Sequence, residues 1–205
     1  FIDSALENLR VYRWNGSSWA QVGTGLAISG VGTPSLAALN STDVAFIDGN
    51  LDSLRVYRWN GSTWAQVGTG LTISGVEWPA LTALNSTDVA FIDSGLDSLR
   101  VYRWNGSNWT QIGSGLSITG AAAPALAALN STDVAFIDSN FDSFRIYRWN
   151  GSSWTWIMSS TIGITNTFPA MCALNGTDIA FIDSTNETLR LYRSAFALAT
   201  PYRPW

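Results

Sequence analysis

Leu54-Arg55-Val56-Tyr57-Arg58-Trp59-Asn60-Gly61-Ser62-Thr63-Trp64 is the stretch that decides the fold. Apolar and polar residues alternate on both sides of an Asn-Gly pair, the pattern of a β-hairpin closed by a two-residue type I′ turn whose central residues both need positive φ. The same words begin at Leu9 and Leu99 and, with Phe and Ile substituted, at Phe144. A fifth copy, Leu189-Arg190-Leu191-Tyr192-Arg193, ends before the turn. Phe-Ile-Asp recurs at Phe1, Phe46, Phe91, Phe136 and Phe181, a 45-residue spacing with no insertion, so the chain is read as a repeat before it is read as anything else.

Each copy divides into four strands. In the second, Pro34 opens a small-residue strand, Ser35 to Leu39, that stops at Asn40-Ser41-Thr42. Asp43 to Asp48, Leu54 to Trp59 and Ser62 to Val67 follow, and Gly68, Gly70 and Gly75 punctuate a connector to Pro79. Four short antiparallel strands per repeat describe a propeller blade. The predicted fold is all-β, a closed five-bladed β-propeller forming a single domain. Its blades fall at about 1–33, 34–78, 79–123, 124–168 and 169–193, with a closing tail at 194–205. The inner and outer strands each occur four times, and Phe196-Ala197-Leu198-Ala199 resembles an inner strand, so the tail is expected to complete the first blade, the alternative being a strand supplied from upstream of Phe1. The chain lacks an initiating Met and starts in mid-repeat, as a processed or truncated piece of a longer protein would.

The expected turn sets Trp59 opposite Ser62 and Tyr57 opposite Trp64. Arg55, Tyr57, Trp59, Trp64 and Gln66 then share one face of the blade, and Leu54, Val56, Arg58, Ala65 and Val67 the other. Cross-strand aromatic pairs contribute roughly 0.5–1.5 kcal/mol beyond burial, which makes the rings interblade packing. The second reading makes them sugar-stacking shelves with the adjacent Arg: Arg58, Trp59 and Trp64 in one blade, Arg103, Trp104 and Trp109 in the next.

Charge excludes several functions. The net charge is −4, there is no Lys or His, and all eleven cations are Arg, ten of them at two fixed repeat positions. Phosphate binding needs clustered cations, so nucleic acid is not an expected partner. No run of about 18 apolar residues is present to insert in a membrane. Without His or Lys there is no Ser-His-Asp or Cys-His arrangement and no Schiff-base residue. Nearly every Asp has several equivalents in the same surroundings, and an acid/base pair needs two different ones. Cys172, in Met171-Cys172-Ala173-Leu174, reads as an ordinary buried cysteine. Asp48, Asn50 and Asp52, repeated as Asp138, Asn140 and Asp142, imitate the first three ligands of a Ca²⁺ loop, but the later glycine and acid are missing. Turn acceptors or partners for the Arg55 class are the expected roles, with no metal, no cofactor and no enzymatic activity.

The copies differ most before the repeat Pro, where Val76-Glu77-Trp78 and Asn166-Thr167-Phe168 stand against Val31-Gly32-Thr33 and Ala121-Ala122-Ala123. Glu77 and Trp78, then Phe168, are the candidate contacts there. The alternative is that these rings plug the blade junction.

The strings Thr42-Asp43-Val44-Ala45-Phe46-Ile47-Asp48 and Leu54 to Trp64 resemble the highly repetitive, recently amplified β-propellers of bacteria and their viruses. Leu-Arg-Val-Tyr and Trp-Asn-Gly-x-x-Trp also resemble blades of the fungal fucose-binding lectins, and the blade count resembles the tachylectins. These resemblances imply ligand pockets between adjacent blades, made by aromatic and Arg side chains. The expected function is therefore non-enzymatic binding of a glycan or surface receptor, at a cell or particle surface. The alternative is a structural or decoration module, making protein contacts in an assembly such as a phage tail or capsid.

Overall fold

The computed structural model describes residues 2–3, 7–28, 32–48, 50–73, 76–93, 95–118, 124–138, 143–161, 170–183 and 188–193. Their eighteen strands form five antiparallel sheets, each a meander. The first holds β1 (Ile2–Asp3), β2 (Asn8–Trp14) and β3 (Trp19–Ala27). The second holds β4 (Pro34–Ala38), β5 (Asp43–Asp48), β6 (Ser53–Trp59) and β7 (Trp64–Thr72). The third holds β8 (Ala80–Ala83), β9 (Asp88–Asp93), β10 (Ser98–Trp104) and β11 (Trp109–Ser117). The fourth holds β12 (Ala125–Ala128), β13 (Asp133–Asp138), β14 (Ser143–Trp149) and β15 (Trp154–Thr161). The fifth holds β16 (Ala170–Ala173), β17 (Asp178–Asp183) and β18 (Thr188–Arg193).

The sheets stand around an axis as in a β-propeller. β4, β8, β12 and β16 are the inner strands, and together they line one central cavity of about 320 Å³. Small side chains suit strands that converge, and neighbouring inner strands are tied where Leu81 N–H donates to Ser35 Oγ (3.0 Å) and Ala128 N–H to Thr82 Oγ1 (3.0 Å). Cys172 is exposed on this wall rather than buried, because the strands meet around open space. The first sheet has no inner strand among the described residues, and the proposed closing tail, Phe168 and the Asn140/Asp142 loop all lie outside them.

Each sheet has a front and a back. The front of the third carries Val89, Phe91, Tyr102, Trp104 and Trp109, and it packs on Ala45, Ile47, Leu54 and Val56 of the second sheet's back. The same arrangement joins the third sheet to the fourth, the fourth to the fifth and the first to the second. Burial of β-branched and aromatic side chains on both faces drives this packing.

The hairpin differs from its predicted form. Trp59 pairs with Trp64 and Tyr57 with Gln66, so four residues form the loop instead of two. The cause is the Asn60 side chain: its Oδ1 accepts from Ser62 N–H (2.9 Å) and Thr63 N–H (2.9 Å), while Asn60 N–H donates to the Thr63 carbonyl (3.1 Å). Gly61 has positive φ (102°), but Asn60 does not, so the turn is not type I′. Because the register moves by two, every side chain keeps its predicted face. Trp64 therefore packs on Trp59, with ring centroids 5.3 Å apart, and Tyr57 packs edge-on against Phe46.

The outer strand also runs farther than predicted. β7 continues through Gly68 and Gly70 to Thr72, with a bulge opposite Arg55. Gly68 has φ +66°, and an added Cβ would run into the Ser107 carbonyl and the Trp104 ring of the next sheet. Gly23 meets Trp59 and Ser62 in the same way, and Gly113 meets Trp149 and Ser152. These glycines are seats for the following sheet's hairpin, and Thr69 N–H and Ser114 N–H donate to the seated carbonyls of Ser107 (3.2 Å) and Ser152 (3.0 Å).

Four forked ion pairs bind strands within sheets. Arg58 Nε and Nη2 donate to the two oxygens of Asp43, each at 2.7 Å, and Arg103–Asp88, Arg148–Asp133 and Arg193–Asp178 repeat the geometry. The Arg hydrogen bonds hold all four carboxyls below the ordinary Asp value, Asp178 at about 2. A carboxyl lowered by folding binds fewer protons in the native than in the unfolded chain, so its stabilisation is complete above the ordinary value near 3.8 and is lost as pH falls through the native one. Urea midpoints are therefore expected to be level from neutrality to about pH 5 and to fall steeply between pH 4 and pH 2.

Candidate functional site

An opening that combines polar and apolar walls lies between the second and third sheets. Leu71 and Thr72 come from the end of β7, Ile73 from the connector that follows it, Arg100 and Tyr102 from β10, Gln111 from β11, and Leu96 from the loop before β10; together they line an opening of about 380 Å³. The position follows from the packing: the Trp pair fills one end of the interface, and Arg100 and Gln111 are too long and polar to fill the other. Tyr102 OH donates to Gln111 Oε1 at 3.4 Å, which fixes the amide beside the opening. Gly115 keeps the Arg100 stem flat along β11, since an added Cβ would come within 3.2 Å of its Cγ.

Arg103 and Arg100 have different surroundings. Arg103 is committed to Asp88 by two short hydrogen bonds. Arg100 has no carboxylate partner among the described residues and lines the cleft. A half-open pocket with an apolar wall and a few convergent donors and acceptors is the usual form of a small-ligand site. On substitution of Gly115 by Ala, the Arg100 side chain is expected to lift from the strand, weakening any ligand held there by roughly tenfold with little change in melting temperature.

The sequence-derived candidates separate on this geometry. Trp104 and Trp109 are buried, at 6% and 5% exposure, in the cluster with the second sheet's back, Trp104 against the Gly68 seat, rather than offering a ring. Trp59 and Trp64 are half-buried and line a second cleft, of about 280 Å³, with Arg10 and Tyr12 of the first sheet. Arg58 is paired with Asp43. Glu77 and Trp78 are exposed on the connector after β7, where the Glu77 carbonyl accepts from Thr33 Oγ1 at 3.4 Å. Neither lines the Arg100 cleft, although Ile73 of its wall begins the same connector.

Asp48 is fully engaged by backbone. Its oxygens accept from Asn50 N–H (2.7 Å), Leu51 N–H (3.2 Å) and Gly32 N–H (3.2 Å). Asp52 accepts from Val76 N–H at 3.2 Å. Both act as turn and connector acceptors.

Sequence reasoning missed Arg100, Tyr102, Gln111 and Trp156. Trp156 takes the place that Gln21, Gln66 and Gln111 occupy in the other sheets, opposite Tyr147, and is 58% exposed. That single departure in an otherwise constant column was the available signal.

The chain matches no protein-family model and no curated protein sequence. Among solved structures it is similar to the fucose-recognising lectin of the fungus Aleuria aurantia, described as a six-bladed β-propeller, with a TM-score of 0.64 and 17% identity over 92% of this chain and 67% of that one. A mutant of the same lectin has been solved with Fucα1-6GlcNAc bound. A functionally unknown protein from Desulfotomaculum acetoxidans has a TM-score of 0.68 and 12% identity over 91% of this chain and 61% of that one. A putative 6-phosphogluconolactonase from Bacteroides uniformis has a TM-score of 0.65 and 12% identity over 94% and 65%. The chain thus spans 61–67% of the length of these three solved structures. Identities this low establish the fold, a β-propeller.

Proposed function

We propose that this chain is a carbohydrate-binding, non-enzymatic module of five blades that takes sugar residues in the clefts between successive sheets. The observation that carries the reading is the Arg100 cleft. A guanidinium without a carboxylate partner among the described residues, a tethered amide and a phenol line the cleft beside a wall of Leu71, Ile73 and Leu96. Arg and Gln supply the donors and acceptors that a hydroxyl-rich ring needs, and the aliphatic wall suits the apolar face or methyl group of a deoxyhexose. The fucose recognition described for the Aleuria lectin supports the same ligand class.

Adjacent clefts are not equivalent. Where the third sheet offers Gln111, the fourth offers the Trp156 ring opposite Tyr147, a platform on which a sugar face can stack. Trp78, 46% exposed on the connector that starts at Ile73, is the contact proposed for a second sugar residue leaving the Arg100 cleft. Individually weak sites on one module gain by multivalency at a glycan-covered surface, the setting in which the module is proposed to work.

A glycan array probed with the purified chain tests this reading. Signals confined to fucosylated or related deoxyhexose glycans are expected, reduced by Arg100→Ala and, for branched or longer glycans, by Trp78→Ala. A blank array with folded protein rejects it.

A further inference from the structure

The chain makes one kind of sheet-to-sheet interface four times and carries both halves of a fifth, uncovered. On the front of the first sheet, Trp14 and Trp19 are 50% and 66% exposed, whereas the corresponding Trp104 and Trp109 of the third sheet are buried. On the back of the fifth sheet, Leu174, Ile182, Leu189 and Leu191 are 59%, 50%, 76% and 61% exposed. Their counterparts in the third sheet, Leu84, Ile92, Leu99 and Val101, are buried against the fourth. These six side chains account for most of the large hydrophobics exposed among the described residues. Apolar area of this kind, concentrated at two places, marks interaction surfaces.

We propose that copies of this chain associate head to tail, the back of the fifth sheet in one copy docking on the front of the first sheet in the next. The surfaces are fitted to one another by the chain's own precedent: front and back of the same chemistry pack at every internal junction. A second copy is a partner that carries both halves in equal number. The contact is heterologous, since two different patches meet, so it propagates until a ring closes or a filament forms. The proposal does not rest on sugar binding and stands or falls separately from it.

The test is sedimentation equilibrium of the full chain over a wide concentration range. The weight-average mass is expected to rise with concentration. Trp19→Asp and Leu191→Asp, each disabling one half, are each expected to weaken association by roughly tenfold or more. Mixed in equal amounts they are expected to form a dimer that grows no further, because each variant keeps the half the other lost. Leu189→Asp, at the most exposed of these positions, serves where Leu191→Asp disturbs the sheet, and near-ultraviolet circular dichroism of the buried Trp pairs reports that the fold is intact. A wild-type chain that stays monomeric at every concentration, its two ends covered by one another or by nothing, overturns the proposal. Single variants that associate as well as wild type also overturn it.

Discussion

Replacing Gly113 by Ala is expected to destabilise the protein by roughly 2–4 kcal/mol, the combined cost of a left-handed backbone for an L-residue and of overpacking a filled site. The residue has φ +64°, and its added methyl would meet the Ser152 carbonyl and the Trp149 ring of the following sheet, both parts of a rigid hairpin. Gly106 is the control. Its φ is +99° but nothing lies within 4 Å of an added Cβ, so Gly106→Ala should cost only about 1 kcal/mol. Guanidinium denaturation of the two variants separates the sheet-to-sheet contact from backbone strain. Equal losses would mean that the seat does not matter.

Phe91→Ala is expected to cost about 3–5 kcal/mol. Phe91 is fully buried on β9, its ring near Tyr102 (centroids 6.2 Å apart), and it belongs to the cluster that joins the second sheet's back to the third sheet's front. Removing the ring opens a cavity between two sheets that inner-strand hydrogen bonds hold in place, so the site can collapse only in part. In a domain of this size the melting temperature should fall by roughly 10 °C. A drop of one or two degrees would show that the sheets can slide to refill the space.

Much of this architecture was legible in the sequence because a propeller repeats its information. The strands β5, β6, β9 and β10 lie where alternation and turn residues put them, and the two faces were assigned correctly even though the hairpin register was not. That register escaped because Asn-Gly favours a two-residue turn in isolation, whereas here the Asn60 side chain folds back on Ser62 and Thr63 and captures two further residues. The bulge at Gly68 escaped for a related reason: glycine marks both a loop and a close approach, and only the neighbouring sheet shows which.

The site was less legible. Arg55 and Arg58 classes are equally constant in sequence, and what marks the Arg58 class is a carboxylate across the strand, as Asp43 lies across from Arg58. Trp104 and Trp109 carried two readings, packing first and shelves second, because aromatic rings near Arg serve either. Only burial by Gly68 and its neighbours decides for packing. Trp156 is the reverse case, a ring left open because it stands where the other sheets have Gln.

Isothermal titration of the wild-type chain and of Arg100→Ala with a methyl fucoside tests the central claim most directly, that sugar is held in the clefts between sheets. Saturable binding is predicted for wild type, with the variant binding fewer ligands per chain while its melting temperature is unchanged. An isotherm identical in the two proteins, or no binding of this or any other monosaccharide, would contradict it.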